Sequence, residues 1–168
     1  LNKVKKVDPN PEVNKIVQNR YSEKNFLVKN NIKTTEFEKI INEIDIKNNK
    51  DLLPGILKTS TLGYDGKGQY KLKNLEDLDN HKINFDREFI LEKLVNLEKE
   101  ISVVITRFSK DNYEIYEPIE NLHEEQILKL STIPAQINLS HFEKSQEWAK
   151  LISEELQYIG TLCVEFFI

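Results

Sequence analysis

Several kinds of residue are scarce in this chain, and each scarcity excludes a class of protein. One cysteine among 168 residues excludes a disulfide framework within the chain, so we expect a reducing, cytoplasmic setting. No apolar run approaches the ~18 residues that a membrane-spanning helix needs, and we expect no membrane partner. The 24 basic and 28 acidic residues give a net charge of −4, which argues against a nucleic-acid partner.

Methionine is absent altogether, and the chain begins with Leu1. It stops on a strand-like apolar run, 162–168, with no turn signal after it. We therefore expect an internal piece of a longer protein. The residues that are present, 39% hydrophobic and 31% charged, have the composition of an ordinary globular domain.

Helical and strand-like patterns are mixed along the chain. We predict one or two helices over 11–30 with Asn10 as N-cap, and a long helix over 140–158 with a capping box of Ser140 and Glu143. Further predictions are strands at 56–59, 69–72, 89–92, 101–108, 113–119 and 162–168, and short helices at 75–78 and within 41–53. Because strict strand–helix–strand alternation is missing, the pattern favours the α+β class.

A glycine-rich string is the strongest local signal. It reads Gly63-Tyr64-Asp65-Gly66-Lys67-Gly68-Gln69 and holds three of the five glycines. Successive backbone N–H groups in such a turn form an anion site, and Lys67 adds positive charge. The spacing fits neither a Walker loop nor a dinucleotide fingerprint, so we interpret the string as a flap between two strands. A plain hairpin explains the glycines equally well.

Charged residues near strand ends are the other candidates. Lys58 precedes the flap and is placed to hold phosphate as a point charge, although an exposed edge-strand lysine has the same pattern. The strand end at 92–95 offers backbone groups to an adenine edge, and a carboxylate a few residues on, Glu98 or Glu100, can accept from two ribose hydroxyls. Charged strand ends are common, so this signal is weak by itself.

Three residues further along admit two interpretations each. His123 is a site residue or a surface histidine in a loop, and Glu165 in its apolar strand is metal-facing or simply exposed. Cys163, which shares a strand face with Glu165 by alternation, is interpreted as a small buried apolar residue. No Ser/His/Asp set and no Cys/His cluster has a distinguishing spacing, so acyl transfer and zinc chemistry have no support.

Taken together, these segments resemble the 5-(carboxyamino)imidazole ribonucleotide synthases of purine biosynthesis, which are ATP-grasp ligases. The resemblance covers nearly the whole chain and is carried, in chain order, by Gln18-Asn19-Arg20, Glu23-Lys24, Phe26-Leu27, Leu57-Lys58-Thr59, the string Gly63 to Gln69, Leu91 to Val95, Glu100 to Val103, Tyr116-Glu117-Pro118, Glu120 to His123, Ile127-Leu128, Pro134-Ala135, Tyr158 to Leu162 and Val164-Glu165-Phe166.

The resemblance implies an ATP-grasp fold in which two α+β subdomains clamp ATP. It implies a linking region over 1–30, a small subdomain with the flap over 31–95, and a truncated large subdomain over 96–168. The resemblance further implies a preceding nucleotide-fold domain and a segment after the Glu165 strand, with a second metal carboxylate, which we expect to lie outside this piece. We therefore expect this piece to bind ATP weakly and not to turn over by itself.

The resemblance also implies the reaction and its participants. ATP, Mg²⁺, bicarbonate and aminoimidazole ribonucleotide give the N-carboxylated ribonucleotide, ADP and phosphate, and the full-length protein forms a homodimer. The implied catalytic residues are Lys58, Lys67 and Tyr64. The implied ATP-binding residues are Arg20, Lys58, Gly63, Tyr64, Asp65, Gly66, Lys67, Gly68, Gln69, Glu92, Lys93, Leu94, Val95, Glu100 and His123, and the implied metal ligand is Glu165.

Two alternatives remain open on the sequence. The first is another ATP-grasp ligase, of the formate-dependent glycinamide ribonucleotide formyltransferase or biotin carboxylase type. The second is a non-catalytic nucleotide-binding module. The chain departs from the family pattern at Ser60-Thr61-Leu62, where many relatives carry arginine. We expect this departure to weaken phosphate or bicarbonate binding.

Overall fold

The structure, a computed structural model, describes residue 5 and residues 7–63, 68–125 and 127–168. It divides into two units. One is Lys15–Asn96, and the other is Leu97–Ile168 together with the N-terminal segment that ends at Asn14. Four residues of the predicted flap, 64–67, lie outside the described residues. Among the helices that the structure describes, none has the length and apolar character of a membrane span.

The first unit is built on a four-stranded sheet whose pairings are all antiparallel, in the order β1-β4-β2-β3. Two short helices lead into the unit, and the chain division falls within the first of them. The elements are α1 (Pro11–Val17), α2 (Arg20–Lys29), β1 (Phe37–Ile40), α3 (Glu43–Asn48), a 3₁₀ turn (Lys50–Leu52), β2 (Gly55–Thr59), β3 (Gln69–Leu72), α4 (Asp77–His81) and β4 (Phe89–Lys93).

One face of this sheet carries the core of the first unit. Leu57 of β2 and Leu91 of β4 are fully buried directly opposite one another, because the antiparallel register pairs them. Helix α3 packs Ile46 into the same cluster. The opposite face of β2 carries Lys58, since successive side chains of a strand point to opposite sides. Packing on one face therefore fixes which face is left for charged groups.

Helix α3 offers a matched test of this core. Replacing Ile46, which is fully buried, by alanine is expected to lower the free energy of unfolding by about 2–5 kcal/mol through lost burial and a cavity. Ile44 on the same helix is 65% exposed, and Ile44→Ala is expected to change it by less than about 0.5 kcal/mol. Urea denaturation of both variants measures the difference, and equal losses would contradict this assignment of the core.

The second unit is a five-stranded antiparallel sheet with one long helix. Strand β5 is central: β9 lines one edge along most of its length, and β6 and β7 share the other edge. The outer strand β8 pairs with β7. The elements are β5 (Glu100–Ser109), β6 (Asn112–Ile115), β7 (Ile119–Glu124), β8 (Ile127–Thr132), α5 (Leu139–Glu155) and β9 (Gly160–Phe167).

Helix α5 covers one face of this sheet. Ala149 packs on the buried Val103 and Ile105 of β5, and Trp148 lies 6.3 Å from Phe166 of β9 between ring centroids. Strand β9 alternates strictly between half-buried and exposed residues. Its second set, which includes Cys163 and Glu165, therefore lies on the face opposite α5.

Most element predictions are confirmed, and the exceptions have local causes. The α+β class, the two N-terminal helices, the hairpin of β2 and β3, and strands β4, β5 and β9 agree with the structure. The predicted helix at 75–78 instead spans Asp77–His81, and the predicted strand at 113–119 divides into β6 and β7. The predicted Ser140 cap is wrong: Asn138 is the N-cap, and its side chain accepts from the His141 N–H.

Candidate functional site

A cluster of charged side chains lies on the face of the first sheet opposite its core. The Lys58 ammonium on β2 donates to Glu92 Oε2 on β4 at 2.9 Å. The two residues are diagonal neighbours in the β2–β4 register, which puts them within reach of each other. Lys24 of α2 places its Nζ 3.7 Å from the same oxygen. A half-buried lysine that faces away from the core suits binding of an anion.

Arg20 begins helix α2 beside the end of β2. Its backbone N–H donates to the Ser60 carbonyl at 2.8 Å, and the Asn19 side chain caps the helix by accepting from Ser22 N–H. Arg20 and Ser60 line a cleft of about 480 Å³ together with Glu23 and Gly63. The predicted phosphate residue Arg20 is thus brought close to the first residue of the glycine-rich string.

The described ends of the glycine-rich string form the base of a β-hairpin. Gly68 accepts from the Thr59 N–H at 2.9 Å, and Gln69 pairs with Lys58. Gly68 has a φ of +74°, and a Cβ atom there would lie 2.9 Å from the Thr59 side chain. Only glycine fits that position without strain. Tyr64, Asp65, Gly66 and Lys67 lie outside the described residues, and their predicted roles stay predictions.

The end of β4 has few free backbone donors. The Lys93 N–H donates to the Glu36 carbonyl at 2.9 Å, and the Leu94 N–H donates to the Pro54 carbonyl at 2.9 Å. Among the residues that the structure describes, the N–H of Val95 donates to no protein acceptor. Of the predicted adenine-binding backbone donors at positions 93–95, Val95 is therefore the one available to a ligand.

In the second unit, two predicted residues meet on the face opposite α5. Glu100 opens β5, and His123 lies on β7, whose Asn121 pairs with Glu100 in the register. His123 Nδ1 lies 2.5 Å from Glu100 Oε2. The interpretation of His123 as a loop residue is therefore wrong, since it is part of a strand. The two side chains therefore lie against each other on the face opposite α5.

A chain of hydrogen bonds crosses the same face. Ser131 Oγ–H donates to Asn121 Oδ1 at 2.8 Å, and Asn121 Nδ2–H donates to Ser102 Oγ at 2.9 Å. Ser102 pairs with Glu165 of β9, so the chain ends beside that carboxylate. Because the Ser102 oxygen accepts from the Asn121 amide, its hydroxyl hydrogen remains available to donate to another acceptor.

Cys163 is on this open face too, which corrects its interpretation as a buried apolar residue. Its exposure follows from the alternation of β9, whose other face packs against α5. Desolvation raises the pKa of the Cys163 thiol, so the sulfur is protonated at neutral pH and is a poor nucleophile.

Glu165 fits a magnesium ligand only in part. In the described part of the chain, no three His, Cys, Asp or Glu side chains come together as a metal site. Magnesium in nucleotide enzymes is commonly held by one or two carboxylates, with phosphates and water completing the octahedron. Exposed on the open face, Glu165 suits the role of one such carboxylate.

Comparison with known proteins assigns this arrangement to a family. The model of the ATP-grasp domain matches residues 25–168, which include Lys58 and Glu92 of the first unit and Glu100 and His123 of the second. The chain belongs to the ATP-grasp domain family. The fold class predicted from the sequence is thereby confirmed.

Relatives of the ATP-grasp chain are found among curated proteins and among solved structures. The N5-carboxyaminoimidazole ribonucleotide synthase of Brucella melitensis is 35% identical and is matched over 95% of this chain and 46% of its own length. That of Aquifex aeolicus is 36% identical, over 97% and 44%. The structure of N5-carboxyaminoimidazole synthetase from Staphylococcus aureus complexed with ADP superposes with a TM-score of 0.84 at 34% identity, over 91% and 41%. The chain spans less than half the length of these relatives.

Within this ATP-grasp chain, sequence reasoning missed the partners of the predicted residues. Lys58 and Glu92 were predicted separately, and the structure joins them and adds Lys24. The Ser131–Asn121–Ser102 chain was missed as well, since nothing in the sequence aligns β7 with β5. The sequence signal that could have pointed to Lys24 and Asn121 is their position in strings that carry the family resemblance.

Proposed function

We propose that the complete protein to which this chain belongs carboxylates 5-aminoimidazole ribonucleotide with ATP and bicarbonate in purine biosynthesis. The products are 5-(carboxyamino)imidazole ribonucleotide, ADP and phosphate. The observation that carries the proposal is the Lys58–Glu92 cluster in an ATP-grasp chain 35–36% identical to proteins named for this product. Because the chain spans less than half of those relatives, the activity belongs to the complete protein.

In the proposed reaction, bicarbonate attacks the γ-phosphorus of ATP, and ADP leaves. The resulting carboxyphosphate gives its carboxyl group to the ribonucleotide amine, and phosphate is released. Such chemistry needs positioning and neutralisation of phosphate charge more than covalent participation by the protein. Magnesium, when bound, supplies further neutralisation of the phosphate charge.

The phosphate-binding role is proposed for Lys58 and Arg20. The Lys58 ammonium is half-buried on a charged sheet face, where a point charge is less screened than in open solvent. Arg20 lines the cleft that reaches Gly63, the first residue of the flap. Tyr64 and Lys67 remain proposed catalytic residues of that flap, and Gly66 and Asp65 remain proposed ATP contacts.

The nucleoside-binding role is proposed for two places. The N–H of Val95, which has no protein acceptor among the described residues, is suited to donate to a purine ring nitrogen, whereas the N–H groups of Lys93 and Leu94 are already used. The Glu100 carboxylate, which lies beside His123, has the acceptor capacity for two ribose hydroxyls. Glu165 is proposed as one magnesium carboxylate, and the second is proposed to lie in the part of the protein beyond this chain.

Release of ADP by the complete protein, with and without aminoimidazole ribonucleotide, tests the proposal. With Mg²⁺ and bicarbonate present, we expect ADP release to depend strongly on the ribonucleotide, and we expect the isolated chain not to turn over. ADP release that does not depend on this ribonucleotide would mean that the protein is another ATP-grasp ligase with a different substrate. Absence of ATP turnover in the complete protein would favour a non-catalytic nucleotide-binding module.

A further inference from the structure

One carboxylate oxygen in the first unit serves two lysines. Glu92 Oε2 lies 2.9 Å from Lys58 Nζ and 3.7 Å from Lys24 Nζ. Glu92 itself is only 8% exposed, and the two lysine side chains are 18% and 15% exposed. The three groups come from β4, β2 and α2, so the arrangement depends on the fold of the whole unit.

Binding a phosphate conflicts with the Lys58–Glu92 contact. A Lys58 ammonium that moves onto a phosphate leaves Glu92 behind as a buried carboxylate. A buried charge that loses its partner is strongly destabilising, because solvent does not replace the lost interaction. The free energy needed to separate Lys58 from Glu92 therefore lowers the affinity of Lys58 for phosphate.

Lys24 is held where it can limit that cost. Its ammonium donates to Thr34 Oγ1 at 2.7 Å and lies 5.6 Å from the centroid of the Phe37 ring. These contacts keep it beside Glu92 independently of Lys58. Burial lowers the pKa of Lys24, and the charge of Glu92 is the largest influence that opposes the shift.

We propose that Lys24 is the reserve counter-ion of Glu92. When Lys58 binds a nucleotide phosphate, Lys24 neutralises the carboxylate that Lys58 leaves, and so raises nucleotide affinity without touching the nucleotide. Lys24 is thus a positioning residue. The inference rests on the phosphate-binding role proposed for Lys58 but not on the identity of the second substrate.

A double-mutant cycle on the complete protein separates this role from a structural one. The dissociation constant of Mg-ATP is measured by calorimetry for the unchanged protein, Lys24→Met, Glu92→Gln and the double variant. We expect Lys24→Met to raise the constant about 10- to 30-fold when Glu92 is present, and less than about threefold in the Glu92→Gln background. Lys24→Arg, which keeps the charge, is expected to stay within about threefold of the unchanged protein.

Two other outcomes of the cycle overturn the proposal. If Lys24→Met raises the dissociation constant equally in both backgrounds, Lys24 acts on the nucleotide or on the fold directly. If Lys24→Met leaves the constant unchanged, Glu92 does not need Lys24 as a counter-ion. Thermal unfolding of each variant checks folding, and Lys24→Gln replaces Lys24→Met if the latter does not fold. ATP binding without ribonucleotide-dependent turnover would defeat the proposed function and leave this cycle valid. Failure of the unchanged protein to bind ATP would defeat both.

Discussion

Replacing Lys58 by alanine is expected to lower ATP turnover by the complete protein about 10²–10³-fold, the range found when one well-placed charge-stabilising group is removed. The ammonium lies on the charged face of β2, is 18% exposed, and has the flap string four residues downstream of its strand end. Without the Lys58 ammonium, only the remaining cations neutralise the negative charge that develops on the phosphate during the reaction. Steady-state ADP release at saturating ribonucleotide measures the effect.

The fold is expected to survive this change. Lys24 still lies within 3.7 Å of Glu92 Oε2, so the carboxylate keeps a counter-ion. Lys71→Ala is the matched control, since Lys71 is an exposed lysine on the neighbouring strand β3 of the same sheet. Turnover of Lys58→Ala within about threefold of the unchanged protein, or an equal loss in Lys71→Ala, would contradict a phosphate role for Lys58.

Replacing Arg107 by methionine is expected to lower the free energy of unfolding of the second unit by about 3–5 kcal/mol, since three charge-assisted hydrogen bonds are lost. Arg107 is 6% exposed on β5. Its guanidinium donates to the carbonyls of Ser109, Lys110 and Ser153 at 3.0–3.1 Å. It thereby ties the end of β5 to helix α5, and methionine leaves those carbonyls without their donor.

Arg87 provides the comparison for Arg107. It is exposed, and in the described part of the chain its ion pair is local, from Nε to the adjacent Asp86 at 3.1 Å. Arg87→Met is expected to change the free energy of unfolding by less than about 0.5 kcal/mol, because exposed ion pairs contribute little. Guanidinium denaturation of both variants gives the difference. A loss of under about 1 kcal/mol in Arg107→Met would show that its carbonyl contacts are replaced by solvent.

Strand prediction succeeded where burial dominates and failed where it does not. Strand β5 is rich in β-branched residues and is buried or half-buried over 100–107, so its sequence pattern is unambiguous. Every residue described in β8 is exposed, and this edge strand shows no alternation of burial. Strand β8 forms because it hydrogen-bonds along β7, and this pairing cannot be read from a single sequence.

Helix capping shows the same limit at shorter range. Ser140 with Glu143 satisfies the spacing of a capping box, yet the helix begins two residues earlier at Asn138. Asn138 satisfies the same need by accepting from the His141 N–H at 2.8 Å. Two polar residues close together leave the start of a helix undetermined until tertiary packing selects one.

The candidate site was predictable as residue types and not as contacts. Lys58, Glu100 and Glu165 stood out in the sequence, the family resemblance gave each its role, and the structure describes each on a sheet face opposite the core. Glu92 was predicted for its backbone, whereas its side chain is the shared partner of two lysines. Such pairings depend on strand register and on helix α2 packing on the sheet, and neither is encoded within a short string.

The transfer of carbon tests the central claim most directly. The complete protein is incubated with ATP, Mg²⁺, aminoimidazole ribonucleotide and ¹³C-bicarbonate, and labelled product and ADP are both quantified. We predict one labelled carboxyl group in the ribonucleotide for each ADP formed, with no requirement for formate. ADP formation without labelled ribonucleotide, or a requirement for formate, would contradict the proposed function while leaving the ATP-grasp assignment intact.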